Sequence, residues 1–183
     1  MNATFIILSL TIATLAPGIA RADVADSANN GFTAKIALTI QASPDEVYRR
    51  LVGNIGDWWN SAHTFSGDAH NLSIEEKPMG CFCEKLPSGG VRHMEVVNFV
   101  PGKTLVMVGG LGPLQSLAVA ASMTIQLAPA DGATKLTVSF AVGGYVQEGL
   151  NTYAVPVDGV LTQQFTRLKN YVEHGDPAPK AAK

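Results

Sequence analysis

Ala42-Ser-Pro-Asp-Glu-Val-Tyr-Arg-Arg-Leu51 has the chemistry of a helix start. Ser43 offers a side-chain oxygen to an unpaired first-turn amide, and Pro44 suits the first helical position. Asp45 and Glu46 face the positive end of the helix dipole. Val47, Leu51 and Ile55 follow four apart and give the helix an apolar stripe. Gly53 and Gly56 end or bend it before Trp58. Directly upstream, Phe32-Thr-Ala-Lys-Ile-Ala-Leu-Thr-Ile40 alternates apolar with other residues and reads as a strand. A short helix therefore leaves the first strand almost at once.

Downstream the pattern changes twice. Residues 57–71, Asp-Trp-Trp-Asn-Ser-Ala-His-Thr-Phe-Ser-Gly-Asp-Ala-His-Asn, have no period. A loop of that length with two Trp and two His is a candidate functional segment. Strand-like runs then occupy 72–77, 80–86, 91–100, 104–109, 117–128 and 133–143, separated by short Gly- and Pro-containing turns. That spacing argues for an antiparallel meander. The last element is a long helix with Val160, Leu161, Phe165, Leu168, Tyr171 and Val172 on one face. Pro156 is expected in its first turn and Gly175 at its end. The order defines an α+β fold: a curved antiparallel sheet of six or seven strands, wrapped on a long C-terminal helix. One helix over one curved sheet can leave a cavity, where small ligands usually sit.

The chain has 183 residues, 46% of them apolar and 15% charged, which provides for one core and excludes a generally disordered chain. Its net charge of -2 lacks the basic surplus of a nucleic-acid binder. Residues 5–16 form an uncharged apolar run, shorter than the about 20 residues of a membrane span. Pro17-Gly18 and the small-x-small sequence Ala20-Arg-Ala22 follow. Residues 1–22 thus read as a cleaved signal peptide, with the mature chain starting at Asp23 in the periplasm or outside the cell and retaining no membrane span. Residues 23–30 read as a flexible leader, 31–174 as the folded domain and 175–183 as a disordered tail. Cleavage removes Arg21, so the 13 basic residues become 12 against 15 acidic ones.

The element order and several segments resemble the SRPBCC superfamily, whose plan is the helix-grip fold. The segments are Ala42–Leu51, Phe99-Val-Pro-Gly-Lys-Thr-Leu105 and Thr134-Lys-Leu-Thr-Val138. Trp58-Trp59, His63-Thr64, Gly80-Cys-Phe-Cys-Glu84, Gly110-Leu-Gly-Pro-Leu114 and Val157-Asp-Gly-Val-Leu161 are similar to segments of uncharacterised bacterial proteins of that superfamily, described as like the activator of the heat-shock-protein-90 ATPase. The resemblance spans about residues 31–174. It implies a helix-grip fold and leaves function open among small-molecule binding, cyclase or hydratase chemistry, and protein interaction. The signal peptide departs from a cytosolic chaperone partner.

The residues themselves point to one candidate site. Across the 80–86/91–100 hairpin, a four-residue loop at Pro87–Gly90 places Glu84 opposite His93 and Cys83 opposite Met94. Glu84 and His93 then share a face, where they could orient a ligand or exchange protons with it. Trp58, Trp59 and His63, with Phe65, are candidates for the cavity mouth; Tyr145 could offer a hydroxyl, and Phe165 belongs to the helix face that meets the ligand. Cys81 and Cys83 lie on the other face of their strand. They could be two buried thiols, a strained disulfide or a soft-metal pair. No cofactor motif is present: Gly102-Lys103-Thr104 lacks the upstream glycine of a phosphate loop, and Gly109–Pro113 lacks its Lys and helix. The expected ligand is an apolar small molecule, lipid- or polyketide-like.

Overall fold

The computed structural model describes residues 21–178. Residues 1–20, within the stretch expected as a signal peptide, and 179–183, within the expected tail, lie outside the described residues. Eight strands form one antiparallel sheet in the order β1-β2-β8-β7-β6-β5-β4-β3. They are β1 (Arg21–Ala28), β2 (Gly31–Ile40), β3 (Leu72–Ile74), β4 (Gly80–Leu86), β5 (Gly89–Val100), β6 (Thr104–Val108), β7 (Ala118–Ala130) and β8 (Ala133–Tyr145). The sheet is curved and open, and its concave face is covered by the C-terminal helix.

One strand exceeds the expected number. Residues 23–28, expected as a flexible leader, belong to β1, which pairs antiparallel with β2. Their sequence, Asp-Val-Ala-Asp-Ser-Ala, carries no clear strand alternation. The backbone of β2 supplies the pairing, and Val24 adds an apolar contact to the core.

β2 buries Phe32, Ala34, Ile36, Leu38 and Ile40 on one face, as its alternation requires. Helix α1 (Pro44–Gly53) starts as its sequence indicates, with the Ser43 hydroxyl accepting the Glu46 amide at 3.3 Å. Val47, Tyr48, Leu51 and Val52 are its buried residues. A single turn, α2 (Ile55–Trp58), follows. Trp58 donates its indole N–H to the carbonyls of Arg50 (3.2 Å) and Leu51 (3.3 Å) in the last turn of α1, where the Arg50 carbonyl also accepts the Asn54 amide.

Helix α3 (Asn151–His174) has two halves with different tasks. Its C-terminal half is fixed. Phe165 and Leu168 are buried, the Phe165 ring lies 6.1 Å from Trp58, and Arg167 donates to the Trp58 carbonyl at 2.8 Å. The Tyr171 hydroxyl donates to Asp57 at 2.9 Å. Gly175 closes the helix in the left-handed conformation (φ 74°), its amide donating to the Tyr171 carbonyl at 2.8 Å. The helix begins at Asn151, so Pro156 lies within it and not in its first turn. In the N-terminal half, Ala154 and Leu161 are buried, and Tyr153, Pro156, Val157, Val160 and Leu161 line a cavity.

Candidate functional site

The cavity has a volume of about 400 Å³, inside the about 300–1,000 Å³ usual for small-ligand sites. Phe140 of β8 contributes to its sheet side, and Tyr153, Pro156, Val157, Val160 and Leu161 of α3 form its roof. Its mouth is made by two loops. One follows α2 and brings Trp59, Ala62, His63, Thr64 and Phe65; the other follows β6 and brings Leu111, Gly112 and Pro113. The Gly109–Pro113 stretch therefore forms a rim, as its glycines suggested.

Glu84 and His93 meet, by a different route from the expected one. The hairpin loop is the two residues Pro87-Ser88, so Glu84 pairs with Val91 and Cys83 with Arg92. That is a shift of two residues, which preserves the face. A bulge then intervenes, and Phe82 pairs with Met94. His93 is the extra residue. Alternation from Val91 keeps His93 facing inward, the bulge lets Met94 beside it face inward as well, and the two are 3% and 1% exposed. His93 Nε2 lies 2.9 Å from Glu84 Oε2.

Both members of this pair are fully engaged within the protein. The Glu84 carboxylate also accepts the backbone amides of Phe65, at 3.1 Å, and Ser66. Burial works to raise the Glu84 pKa. The donors from Ser66, Phe65 and His93 outweigh it, and the carboxyl lies below its ordinary value. Burial pushes the His93 pKa down, and Glu84 offsets only part of this. The resulting state is an ionised Glu84 beside a neutral imidazole whose Nε2–H donates to it. Nδ1 is then an acceptor, and the Gln115 amide sits 3.1 Å away to donate. The His93 ring, not a ring nitrogen, faces the cavity, and the Phe65 ring stacks over it at 5.9 Å.

The arrangement is a double latch. Through Phe65 and Ser66, Glu84 holds one mouth loop; through Gln115, His93 holds the other. Gln115 was not foreseen, because a lone glutamine in a glycine- and proline-rich turn carries no signal.

The other expected residues separate into two groups. Trp59 and His63 line the cavity, with the Trp59 indole donating to the His63 carbonyl at 3.1 Å and His63 Nε2 3.1 Å from Gln163 Oε1. Trp58 and Phe165 do not line it; they are core residues, each 1% exposed. The helix periodicity placed Phe165 on the correct face, and that face is divided between core and cavity. Tyr145 is 72% exposed and also outside the cavity lining. It lies at the end of β8, opposite Ala118 at the start of β7. Tyr153 and Phe140 line the cavity instead. Tyr153 belongs to the extra N-terminal helix turn that Pro156 concealed.

Cys81 and Cys83 are joined as a disulfide, with Cα atoms 5.2 Å apart, on the strand face opposite Phe82 and Glu84. Among the described residues no group of three or more His, Cys, Asp or Glu could hold a metal ion, and no helix is long and apolar enough to cross a membrane.

An open curved antiparallel sheet with one long C-terminal helix packed on it, and a ligand-sized cavity between them, is the helix-grip fold. Solved structures of this shape include a conserved protein of unknown function from Enterococcus faecalis (19% identity, TM-score 0.60, covering 90% of this chain and 82% of that one). The Aha1 dimer from Colwellia psychrerythraea has 17% identity and a TM-score of 0.55, covering 78% of this chain and 97% of that one. CalU16 from Micromonospora echinospora has 14% identity and a TM-score of 0.55, covering 89% of each chain. No protein-family model and no curated protein matches the sequence.

Proposed function

We propose that this protein is an exported binding module that holds a small, predominantly apolar molecule between its sheet and the N-terminal half of α3. The observation that carries the reading is the cavity: about 400 Å³ of space with an apolar roof of Val157, Val160 and Leu161 and Phe140 across from it. A domain that needed only a filled core would close such a space, because interiors pack to crystal density. Transfer of ligand surface from water into it contributes about 25 cal/mol per Å² before ordering costs. The engagement of both His93 nitrogens supports binding over proton exchange with the ligand, since neither nitrogen is left to meet one.

Export rests on residues 1–22 and agrees with a disulfide in an oxidising compartment. The test is to express the chain with its own leader, collect the exported form and record native and denaturing mass spectra with and without alkylation. A small molecule that co-purifies and leaves on denaturation, a chain beginning at Asp23, and no alkylation without reductant are expected. A chain that keeps residues 1–22 and labels at both cysteines overturns the export reading. A form that takes up no apolar probe overturns the binding reading.

A further inference from the structure

The cavity's lining chemistry narrows what it can hold. The described lining residues include no Lys, Arg, Asp or Glu. Behind one wall stands a formal charge, the Glu84 carboxylate, 2.9 Å from His93 Nε2, and it is negative. An anionic head group buried here would lose its hydration, find no cation, and face a carboxylate across one imidazole ring. Aromatic surface is abundant by contrast. Trp59, Phe65, His93, Phe140 and Tyr153 all line the space, and Phe65 and His93 already stack in parallel at the mouth (27° between planes).

Two lining groups can fix orientation. The Tyr153 hydroxyl makes no hydrogen bond to another described residue, so it can donate or accept. His63 points Nε2 at the Gln163 carbonyl oxygen, 3.1 Å away. With the proton on Nε2, its Nδ1 is an acceptor.

We infer that the ligand is an uncharged aromatic or otherwise flat conjugated molecule bearing a hydroxyl or carbonyl group, and that free fatty acids and other buried anions are rejected. This rests on the binding reading above and specifies its ligand class. Flat rings match the lining by offset stacking and edge contacts. A hydroxyl or carbonyl finds Tyr153 or His63, whereas a carboxylate finds no Lys or Arg among the lining residues, and the amide of Tyr153, in the first turn of α3, already donates to the Leu150 carbonyl at 3.0 Å.

Isothermal titration of the exported protein at neutral pH, with 2-naphthol, 2-naphthoate, 1-decanol and decanoate as probes, tests it. 2-Naphthol is expected to bind at least tenfold more tightly than 2-naphthoate and more tightly than 1-decanol. Tyr153→Phe should weaken 2-naphthol several-fold and leave 2-methylnaphthalene unchanged. Val160→Trp, which fills the cavity, should abolish binding of every probe and so establishes where they bind. If 2-naphthoate or decanoate binds as tightly as its neutral counterpart in a Val160-dependent way, the ligand-class inference fails and the binding reading stands. If 1-decanol binds tenfold more tightly than 2-naphthol, the aromatic assignment fails. If no probe binds at millimolar concentration, both readings fall.

Discussion

Replacing Glu84 with glutamine keeps the side chain's shape and removes its charge, and the structure sets what this costs. The carboxylate accepts from the amides of Phe65 and Ser66 and from the His93 imidazole. Hydrogen bonds to a charged group are worth about 1.5–3 kcal/mol each. The glutamine oxygen can replace Oε2, serving Phe65 and His93, or Oε1, serving Ser66, but not both. Its NH2 group then faces another N–H donor. One charge-assisted bond is lost, the others become neutral ones, and the expected destabilisation is about 2–4 kcal/mol. In a domain of this size each kcal/mol moves Tm by about 2–4 °C, so a fall on the order of 5–15 °C should appear in thermal unfolding followed by circular dichroism. Hydrogen exchange localises the effect: the amides of Phe65 and Ser66 should exchange faster, with little change in β2 and β8. An unchanged or higher Tm for Glu84→Gln would refute the latch. It would mean that the carboxylate is held at a cost to stability, as catalytic groups often are.

Acidification should weaken the fold in two stages, because Glu84 and His93 both have pKa values below their ordinary ones. His93 stability is present above the unfolded histidine pKa of about 6.5 and is lost as pH falls toward its folded value; that of Glu84 is lost below about 4.5. Urea unfolding across this range should show the first stage disappear in His93→Gln, while a stage that persists would assign it to another group. Gln115→Ala should leave Tm within a few degrees, since Gln115 is near the surface, yet speed exchange in the 112–116 turn and loosen probe binding several-fold. Replacing Cys81 and Cys83 with serine should cost only about 1–2 kcal/mol by the chain-entropy relation, because the bridge closes a very short loop. A loss of 4 kcal/mol in urea unfolding would show that the bridge also supports the β4–β5 bulge.

Much of the fold could be read from local chemistry. The β2 alternation, the Ser43 cap with Pro44, the Gly175 stop and the turn residues between strands each act within a few positions of the residues that signal them. Element order followed, and with it the helix-grip plan and a space under the last helix. β1 was not legible, because its pairing comes from the exposed edge of β2 and not from its own side chains. The site divided along the same line. Trp59 and His63 were found because aromatic and imidazole groups are rare in an irregular loop. Trp58, next to Trp59, is core because it points at the end of α1, which its sequence neighbours do not reveal. The Glu84–His93 pair shows the difference most directly. Strand alternation places the two residues on one face for any even shift in register, so the sequence sufficed to pair them. Whether a ring nitrogen or only the ring reaches the cavity depends on the bulge and on Gln115, a residue 22 positions away. Periodicity carries information along one element. A partner brought in by another element leaves no trace in it, so the latch and the uncharged lining emerge only from the folded chain.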